Sequence, residues 1–105
     1  MSLQIYQDID RDQAIVWING IMDITTVDAF HSKIEQLPVI TSLLLDFSQL
    51  EFIDSTGIGA IVELVYLSQE KNFALEFRGI DENIQQIFDV LGLFTIIETL
   101  KKEGV

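Results

Sequence analysis

Two regions near the start of the chain have the hydrophobic pattern of β-strands. The run Ala14–Met22 is rich in Ile, Val and Trp and is closed by Asn19 and Gly20, as in a strand that is buried on at least one face. The segment Leu3–Gln7 precedes it and is a candidate partner strand. We therefore predict that the sheet begins with these two strands.

From Thr25 onward the hydrophobic period changes to that of a helix. Apolar side chains recur every three or four positions, at Val27, Phe30, Ile34 and Leu37. Thr25, followed three residues later by Asp28, matches the start of a capping box, and Pro38 would end the helix. The pattern predicts an amphipathic helix that begins at Thr25.

The middle of the chain predicts a central strand followed by a second helix. Ser42–Phe47 is a short apolar run typical of a strand covered on both faces, with Asp46 at its carboxyl end. A loop through Gln49 and Glu51 then leads to a helix that runs to about Gln69. The predicted buried stripe of this helix consists of Ile58, Ile61, Val62 and Val65.

The last third of the chain predicts one further strand and one further helix. Apolar and polar residues alternate from Phe73 to Arg78, which is the period of a strand with one polar face. Asp81 is placed to cap a third helix and Gly92 to end it. The apolar tail Leu93–Leu100 has no single clear period, and we predict a short strand or a helix there.

The order of the predicted elements indicates an α/β fold. Strands and helices alternate along the chain, which implies crossover connections and a largely parallel sheet. We expect a mixed, mostly parallel sheet of about four to five strands with helices packed against it. The length of 105 residues and the absence of a flexible linker predict one domain over residues 1–105.

Composition and charge narrow the classes of function. Seventeen acidic and six basic residues give a formal net charge of −11, which repels nucleic-acid backbones and anionic membranes. This negative charge is explained either by solubility alone or by the electrostatic steering of a basic partner. The chain has no cysteine, and its start resembles neither a signal peptide nor a membrane helix. We expect a cytoplasmic protein with no metal site, no cofactor and no nucleic-acid or membrane partner.

The segment Asp54-Ser55-Thr56-Gly57 is the strongest candidate site. Ligand sites in open α/β sheets gather at the carboxyl ends of strands, and this segment joins such an end to the second helix. Either Asp54 or Ser55 caps that helix, and an ordinary capping role explains Ser55 by itself. Gly57 and Gly59, however, each cost about 1 kcal/mol relative to alanine, which suggests that another group approaches the backbone closely.

A phosphate on Ser55 would alter binding more than folding. The amino end of a helix carries unpaired amides and partial positive charge, which tolerate a negative group. Asp54 is adjacent, and Asp23 and Asp46 are predicted at nearby strand ends. An added charge of about −1.5 to −2 would therefore change the surface potential sharply. This combination describes a switch of binding.

The same residues resemble the STAS domain of bacterial anti-sigma factor antagonists. The similarity rests on the strand end Leu45–Ser48, on the run Phe52–Ala60, and on Gly20–Asp23 followed by a helix. The segment Leu91–Leu93 near the end also fits. The resemblance covers nearly the whole chain, although the third helix and the tail are only generally similar.

The resemblance implies a monomeric antagonist without enzymatic activity. Ser55 corresponds to the family's phosphoacceptor serine, which an anti-sigma factor serine kinase modifies and a serine phosphatase restores. The unmodified form binds the anti-sigma factor and frees the sigma factor, and phosphorylation ends that binding. The implied contact surface consists of Asp23, Asp54, Thr56, Gly57, Gly59, Glu63 and Tyr66. Glu63 and Tyr66 fit ordinary solvated helix positions equally well.

Other functions have less support in the sequence. The one histidine, His31, is predicted on a helix surface, and Ile53 stands where a hydrolase elbow requires glycine, so no catalytic residue is predicted. Asp46 would suit a receiver domain, but the acidic pair and the lysine of such a site are not suitably placed. A STAS scaffold subunit of a stress-sensing assembly stays open as an alternative, which self-assembly into a large particle would indicate.

Overall fold

The chain folds, in a computed structural model that describes residues 2–103, into one sheet and four helices. The strands are β1 (Leu3–Asp10), β2 (Gln13–Met22), β3 (Ser42–Ile53) and β4 (Ala74–Arg78). The helices are α1 (Val27–Glu35), α2 (Ser55–Lys71), α3 (Glu82–Leu91) and α4 (Leu93–Glu103). The strand order is β1-β2-β3-β4, with β1 antiparallel to β2 and the other neighbours parallel. The predicted α/β class with a mixed, mostly parallel sheet is confirmed, with four strands.

Within the described residues, helices cover only one face of the sheet. In β3, Leu45 and Phe47 are fully buried, whereas Leu44 between them is half-buried. The Phe47 ring meets the Phe88 ring of α3 edge to face, at a centroid distance of 5.3 Å, which places α3 on the Phe47 side. The expectation that the central strand is covered on both faces is therefore wrong.

β3 is longer than predicted. Its expected end at Phe47 and the expected loop through Gln49 and Glu51 are both wrong, because the parallel ladder with β2 continues until Met22 pairs with Ile53. Two register irregularities in this ladder allow the pairing to continue where polar side chains interrupt the hydrophobic pattern. The second helix consequently begins directly at the end of a strand.

The start of α1 also differs from the prediction. The capping box from Thr25 to Asp28 is not formed, since α1 begins at Val27 and its N-cap, Thr26, makes no capping bond with its side chain. The Thr26 hydroxyl instead donates to the Ile21 carbonyl at 2.8 Å. The bond fixes the loop against the end of β2.

The later helices follow the predicted signals. The Asp81 carboxylate accepts from the Ile84 amide at 2.8 Å and caps α3, and Gly92 ends α3 at a φ of 74°. The apolar tail forms α4 directly after Gly92.

Within residues 2–103, no helix is both long and apolar enough to span a membrane. α2 buries Ile58, Ile61 and Val65 as expected, whereas Val62 of the predicted stripe is only half-buried.

A chain of aromatic rings fixes α3 and α4 on the sheet. Phe47 of β3 meets Phe77 of β4 at 5.4 Å, and Phe88 of α3 meets Phe94 of α4 at 5.8 Å, both edge to face. Such pairs contribute about 0.5–1.5 kcal/mol each beyond the area that they bury. α3 is thereby held beside the start of α2.

Candidate functional site

The candidate site forms where β2 and β3 end side by side. Met22 pairs with Ile53 at the last position of the parallel ladder. The Asp54 amide then donates to the Met22 carbonyl at 3.2 Å. These contacts hold the loop after β2 and the start of α2 together at the carboxyl edge of the sheet, where the sequence places the site.

Asp54 is the N-cap of α2, and Ser55 is the first helical residue. The Asp54 carboxylate accepts from the Gly57 amide at 3.0 Å, and the Asp54 carbonyl accepts from the Ile58 amide at 2.9 Å. The amides of Ser55 and Thr56 have no acceptor in the part of the chain that the structure describes. The capping role that the sequence leaves open between two residues thus belongs to Asp54.

The Ser55 side chain is exposed. Among residues 2–100, whose side chains the structure describes, no side chain or carbonyl forms a hydrogen bond with its hydroxyl. Neither capping nor core packing uses this group, because Asp54 performs the capping. The hydroxyl is accessible to another protein, and a group added to it would displace no buried neighbour.

The two glycines at the start of α2 have different surroundings. A Cβ atom on Gly57 would lie 2.5 Å from the Cγ1 atom of Ile53 and 2.7 Å from the Met22 carbonyl oxygen. Gly57 is therefore needed for the close packing of α2 on the strand ends. Gly59 is exposed, and a Cβ atom there would have nothing within 4 Å. Internal packing does not explain the second glycine.

Asp23 organises the loop between β2 and α1. Its carboxylate accepts from the Thr25 hydroxyl at 2.6 Å and from the Thr25 amide at 2.9 Å. The pKa of Asp23 lies below its ordinary value, although some desolvation raises it. The main cause is the hydrogen bond from the Thr25 hydroxyl. The Thr25 amide and the hydroxyl and amide of Thr26 lower the pKa further. Asp23 directly follows Met22 and therefore adds a second carboxylate beside the Asp54 cap.

Asp46 does not belong to the site, contrary to its predicted place at a strand end. Ile53 lies seven positions further along β3, which at about 3.3 Å per residue is roughly 23 Å. Its carboxylate is buried and accepts from Arg78 Nε and from the Ser48 amide, each at 2.8 Å. Burial raises the pKa of Asp46, but the bonds from Ser48 and the charge of Arg78 outweigh it and leave the pKa lowered. The ion pair of Asp46 and Arg78 therefore stabilises the sheet and takes no part in the candidate site.

The outer face of α2 carries most of the residues predicted to contact a partner. Gly59, Glu63 and Tyr66 are exposed, and Thr56 is half-buried at the start of the helix. Glu63 lies 3.6 Å from the Nε2 atom of His31 on α1. This contact joins the outer faces of α1 and α2 at a point about two helical turns from Ser55.

An apolar groove beside Ser55 is not predicted by the sequence pattern. It has a volume of about 450 Å³ and lies between the start of α2 and α3. Phe52 and Val90 form exposed parts of its lining, with 47% and 84% of their surfaces accessible. Its remaining lining residues are Ile53, Asp54, Ser55, Asn83, Gln86, Ile87 and Leu91. The one feature of the sequence that indicates this groove is Val90, an apolar residue that lies outside the buried stripe of α3.

Known proteins with similar sequences include bacterial regulators. The family model of the STAS domain matches residues 1–104. The anti-sigma-B factor antagonist of Listeria monocytogenes is 26% identical over 97 residues, covering 90% of this chain and 85% of that protein. The anti-sigma F factor antagonist of Paenibacillus polymyxa is 26% identical over 106 residues, covering 98% and 91%. These matches confirm the resemblance that the residues around Ser55 suggest.

A solved structure has the same fold. The anti-sigma factor antagonist SpoIIAA in its unphosphorylated form superimposes with a TM-score of 0.72 at 17% sequence identity. The superposition covers 99% of this chain and 98% of that one. The two chains thus share one fold over nearly their full length.

Proposed function

Because this chain belongs to the STAS domain family, we propose that it is an anti-sigma factor antagonist regulated by phosphorylation of Ser55. The unphosphorylated chain, a single domain over residues 1–105, binds an anti-sigma factor that is also a serine kinase, and so releases the sigma factor. Phosphorylation ends this binding, and a serine phosphatase restores it. The chain itself acts as a monomeric binding protein and performs no catalysis.

The observation that carries the proposal is the exposed, unbonded hydroxyl of Ser55 at the start of α2. In the transfer, the Ser55 oxygen bonds to the γ-phosphorus of ATP, the bond to the ADP oxygen breaks, and the hydroxyl proton passes to a base of the kinase. The free amides of Ser55 and Thr56 favour a negative group at this end of the helix. The fold therefore tolerates the product.

The surroundings of Ser55 explain why a phosphate would weaken binding. Asp23 and Asp54 already make this edge negative, and the phosphate adds a charge of about −1.5 to −2. It also stands at the mouth of the apolar groove, where a charged group costs desolvation when a partner covers it. The proposed contact surface consists of Asp23, Asp54, Thr56, Gly59, Glu63 and Tyr66.

Gly57 is left out of this surface, although the resemblance implies a contact there. It is buried beneath Ile53 and the Met22 carbonyl, so it lies out of a partner's reach. Its role in the proposal is to bring the first turn of α2 against the strand ends.

The direct test uses the purified cognate anti-sigma factor with ATP. We expect one phosphate on Ser55 by mass spectrometry, none on Ser55→Ala, and an unchanged result for the control Ser32→Ala on α1. Ser55→Asp should weaken the complex by about tenfold or more, equivalent to about 1.4 kcal/mol, with a nearly unchanged melting temperature. A phosphate on Thr56, or equal affinity of Ser55→Asp and the parent chain, would contradict the switch.

A size measurement separates the antagonist from the scaffold alternative. The antagonist is expected to elute as a monomer and to form a defined complex with the kinase. Assembly of the pure chain into a large particle would instead favour a STAS scaffold subunit.

A further inference from the structure

The sheet has a second surface that the proposed contact with the kinase does not use. We call it the open face, and define it as the strand positions that point away from the helices. In β2 the fully buried Val16 and Ile18 point toward the helices, whereas Ile15 and Trp17 point to the open face and are half-buried. A shallow depression on this side is formed by residues of the strands alone.

Strand register places four apolar side chains at the centre of the open face. Tyr6 pairs with Trp17, and Ile15 pairs with Leu44 in the next row. Tyr6 is 53% exposed and the other three are half-buried. Because Ile, Leu and Trp are side chains that folding usually covers, this group forms an apolar centre without a covering layer among the described residues.

Carboxylates border this centre on both edge strands. Asp8 of β1 pairs with Ile15, and Glu76 of β4 pairs with Leu44, so one row of the sheet reads acid, apolar, apolar, acid. Asp10 lengthens the border on β1. Among the side chains of residues 2–100, which the structure describes, no cationic group lies within 4 Å of these three carboxylates.

The one cation in the strand rows does not offset this charge. Arg78 of β4 lies on the open face but is bound to the buried carboxylate of Asp46. The two therefore neutralise each other, and the surplus charge of the open face is negative. A partner that covers the apolar centre must bring positive charge to its two sides.

We propose that the open face binds an amphipathic helix of a partner protein, with an apolar stripe flanked on both sides by lysine or arginine. The two acidic borders lie three strand spacings apart, roughly 14 Å at about 4.8 Å per spacing. This width accommodates a helix with a diameter of about 10–12 Å. Such a helix would add a second covering layer to the sheet.

A second copy of this chain fits the open face less well. Each copy carries a net charge of −11, and a symmetric contact would place the borders formed by Asp8 and Glu76 opposite like charges. The same charge opposes nucleic acid and anionic lipid. The arrangement of charge therefore selects a basic, amphipathic protein segment.

The test uses Trp17, which is the only tryptophan of the chain and lies at the centre of the open face. The probe is a peptide of about 18 residues, made of leucine and lysine with a leucine stripe, whose helical length of about 27 Å matches a strand of eight residues. We expect a blue shift of the tryptophan emission that saturates. A peptide of the same composition in scrambled order should bind at least about tenfold more weakly.

Charge-reversal variants distinguish this face from general attraction to an acidic protein. The double variant Asp8→Lys/Glu76→Lys should weaken the peptide by about tenfold or more. The control Glu35→Lys/Glu70→Lys makes the same change of net charge on exposed helix ends and should alter affinity by less than about threefold. Lysine on edge strands is well tolerated, and circular dichroism verifies the fold of both.

Equal weakening by the two double variants would overturn the proposal, as would an unchanged tryptophan emission at saturation. Self-association of the chain that Asp8→Lys/Glu76→Lys strengthens would also overturn it and assign the face to a second copy. Phosphorylation of Ser55 by the kinase is a separate readout. Its failure would leave the result on the open face intact.

Discussion

At the scale of single residues, one carboxylate determines what Ser55 is free to do. A serine that caps the start of a helix ordinarily accepts a hydrogen bond from a backbone amide with its hydroxyl. Here Asp54 takes the Gly57 amide, so the Ser55 hydroxyl has no structural task in residues 2–100. Capping and the proposed phosphorylation thereby fall to neighbouring residues and do not compete.

The two glycines of α2 give opposite expectations when each is replaced by alanine. Gly59→Ala should stabilise the free chain by about 0.5–1 kcal/mol, because alanine favours the helix and the added methyl meets no atom beyond the adjacent helix backbone. Gly57→Ala should destabilise it by about 1–3 kcal/mol, because the methyl would overlap Ile53 and the Met22 carbonyl. Urea unfolding of both variants measures the two changes.

The same variant of Gly59 examines the proposed contact surface. If a partner packs on this exposed position, Gly59→Ala weakens the complex although it strengthens the free chain. Affinity equal to that of the parent chain would remove Gly59 from the surface. The opposite signs of the two effects rule out general loss of folding as the explanation.

Local rules predict one residue of the site and both ends of α3 correctly. Ser55 at the start of a helix, the Asp81 cap and the Gly92 end all follow from signals within a few residues, and each has its predicted place. Asp46 does not, because its position relative to the site depends on how far β3 extends. That length is set by pairing with β2, which a local pattern does not contain.

At the scale of elements, the pairing partner determines where β3 and α1 begin and end. The polar residues at the end of β3 break the hydrophobic alternation, yet β2 continues to pair with them. Thr26 caps no amide of α1 because its hydroxyl is bound to the Ile21 carbonyl of β2. Both errors of prediction thus arise from contacts with one neighbouring strand.

Helix α3 supplies a test of whether the partner also covers the apolar groove beside Ser55. Val90 is 84% exposed at the groove beside Ser55, so Val90→Asp should leave the melting temperature nearly unchanged. It should weaken the complex with the anti-sigma factor by about tenfold or more, since a charge in an apolar contact costs desolvation. Isothermal titration calorimetry measures the affinity.

Val39 offers a matched control for this substitution. It is 95% exposed in the segment that enters β3, at the opposite end of that strand from Ser55. Val39→Asp makes the same chemical change and is expected to leave the affinity within about twofold. Equal losses in the two variants would exclude the groove from the interface.

At the scale of the whole molecule, stability should depend on pH through a few carboxylates. Asp23 and Asp46 both have pKa values below the ordinary value of 3.8. Because the native pKa is the lower one, their contribution is complete above about pH 5 and is lost as the pH falls through the ordinary value and then the native values. Acid should therefore loosen the fold in that range.

The ion pair of the sheet gives this expectation a specific form. Arg78→Leu leaves the buried Asp46 carboxylate without its cation and should cost about 1–3 kcal/mol at pH 7. The difference from the parent chain should shrink as the pH falls and Asp46 becomes protonated. Urea unfolding between pH 3 and 7, with Lys33→Gln as an exposed control, measures it. A difference independent of pH would contradict the role of the charge.

The fold class follows from sequence, whereas the arrangement of layers does not. Alternating strands and helices predict an α/β fold, and the order of elements predicts the mostly parallel sheet. The apolar run around Leu44 reads as a strand covered on both sides, because sequence cannot distinguish a covered apolar residue from one left half-exposed. Which side stays open depends on where the four helices pack.

The ladder of β2 and β3 reaches Ile53, one residue before the cap of α2, and so anchors Ser55 to the most extensively paired part of the sheet. A phosphate on Ser55 would therefore displace the backbone very little. On our proposal, phosphorylation changes the charge of the surface at Ser55 and leaves the backbone conformation nearly unchanged. Superposition of the two forms would then show nearly the same trace, while their electrostatic fields would differ.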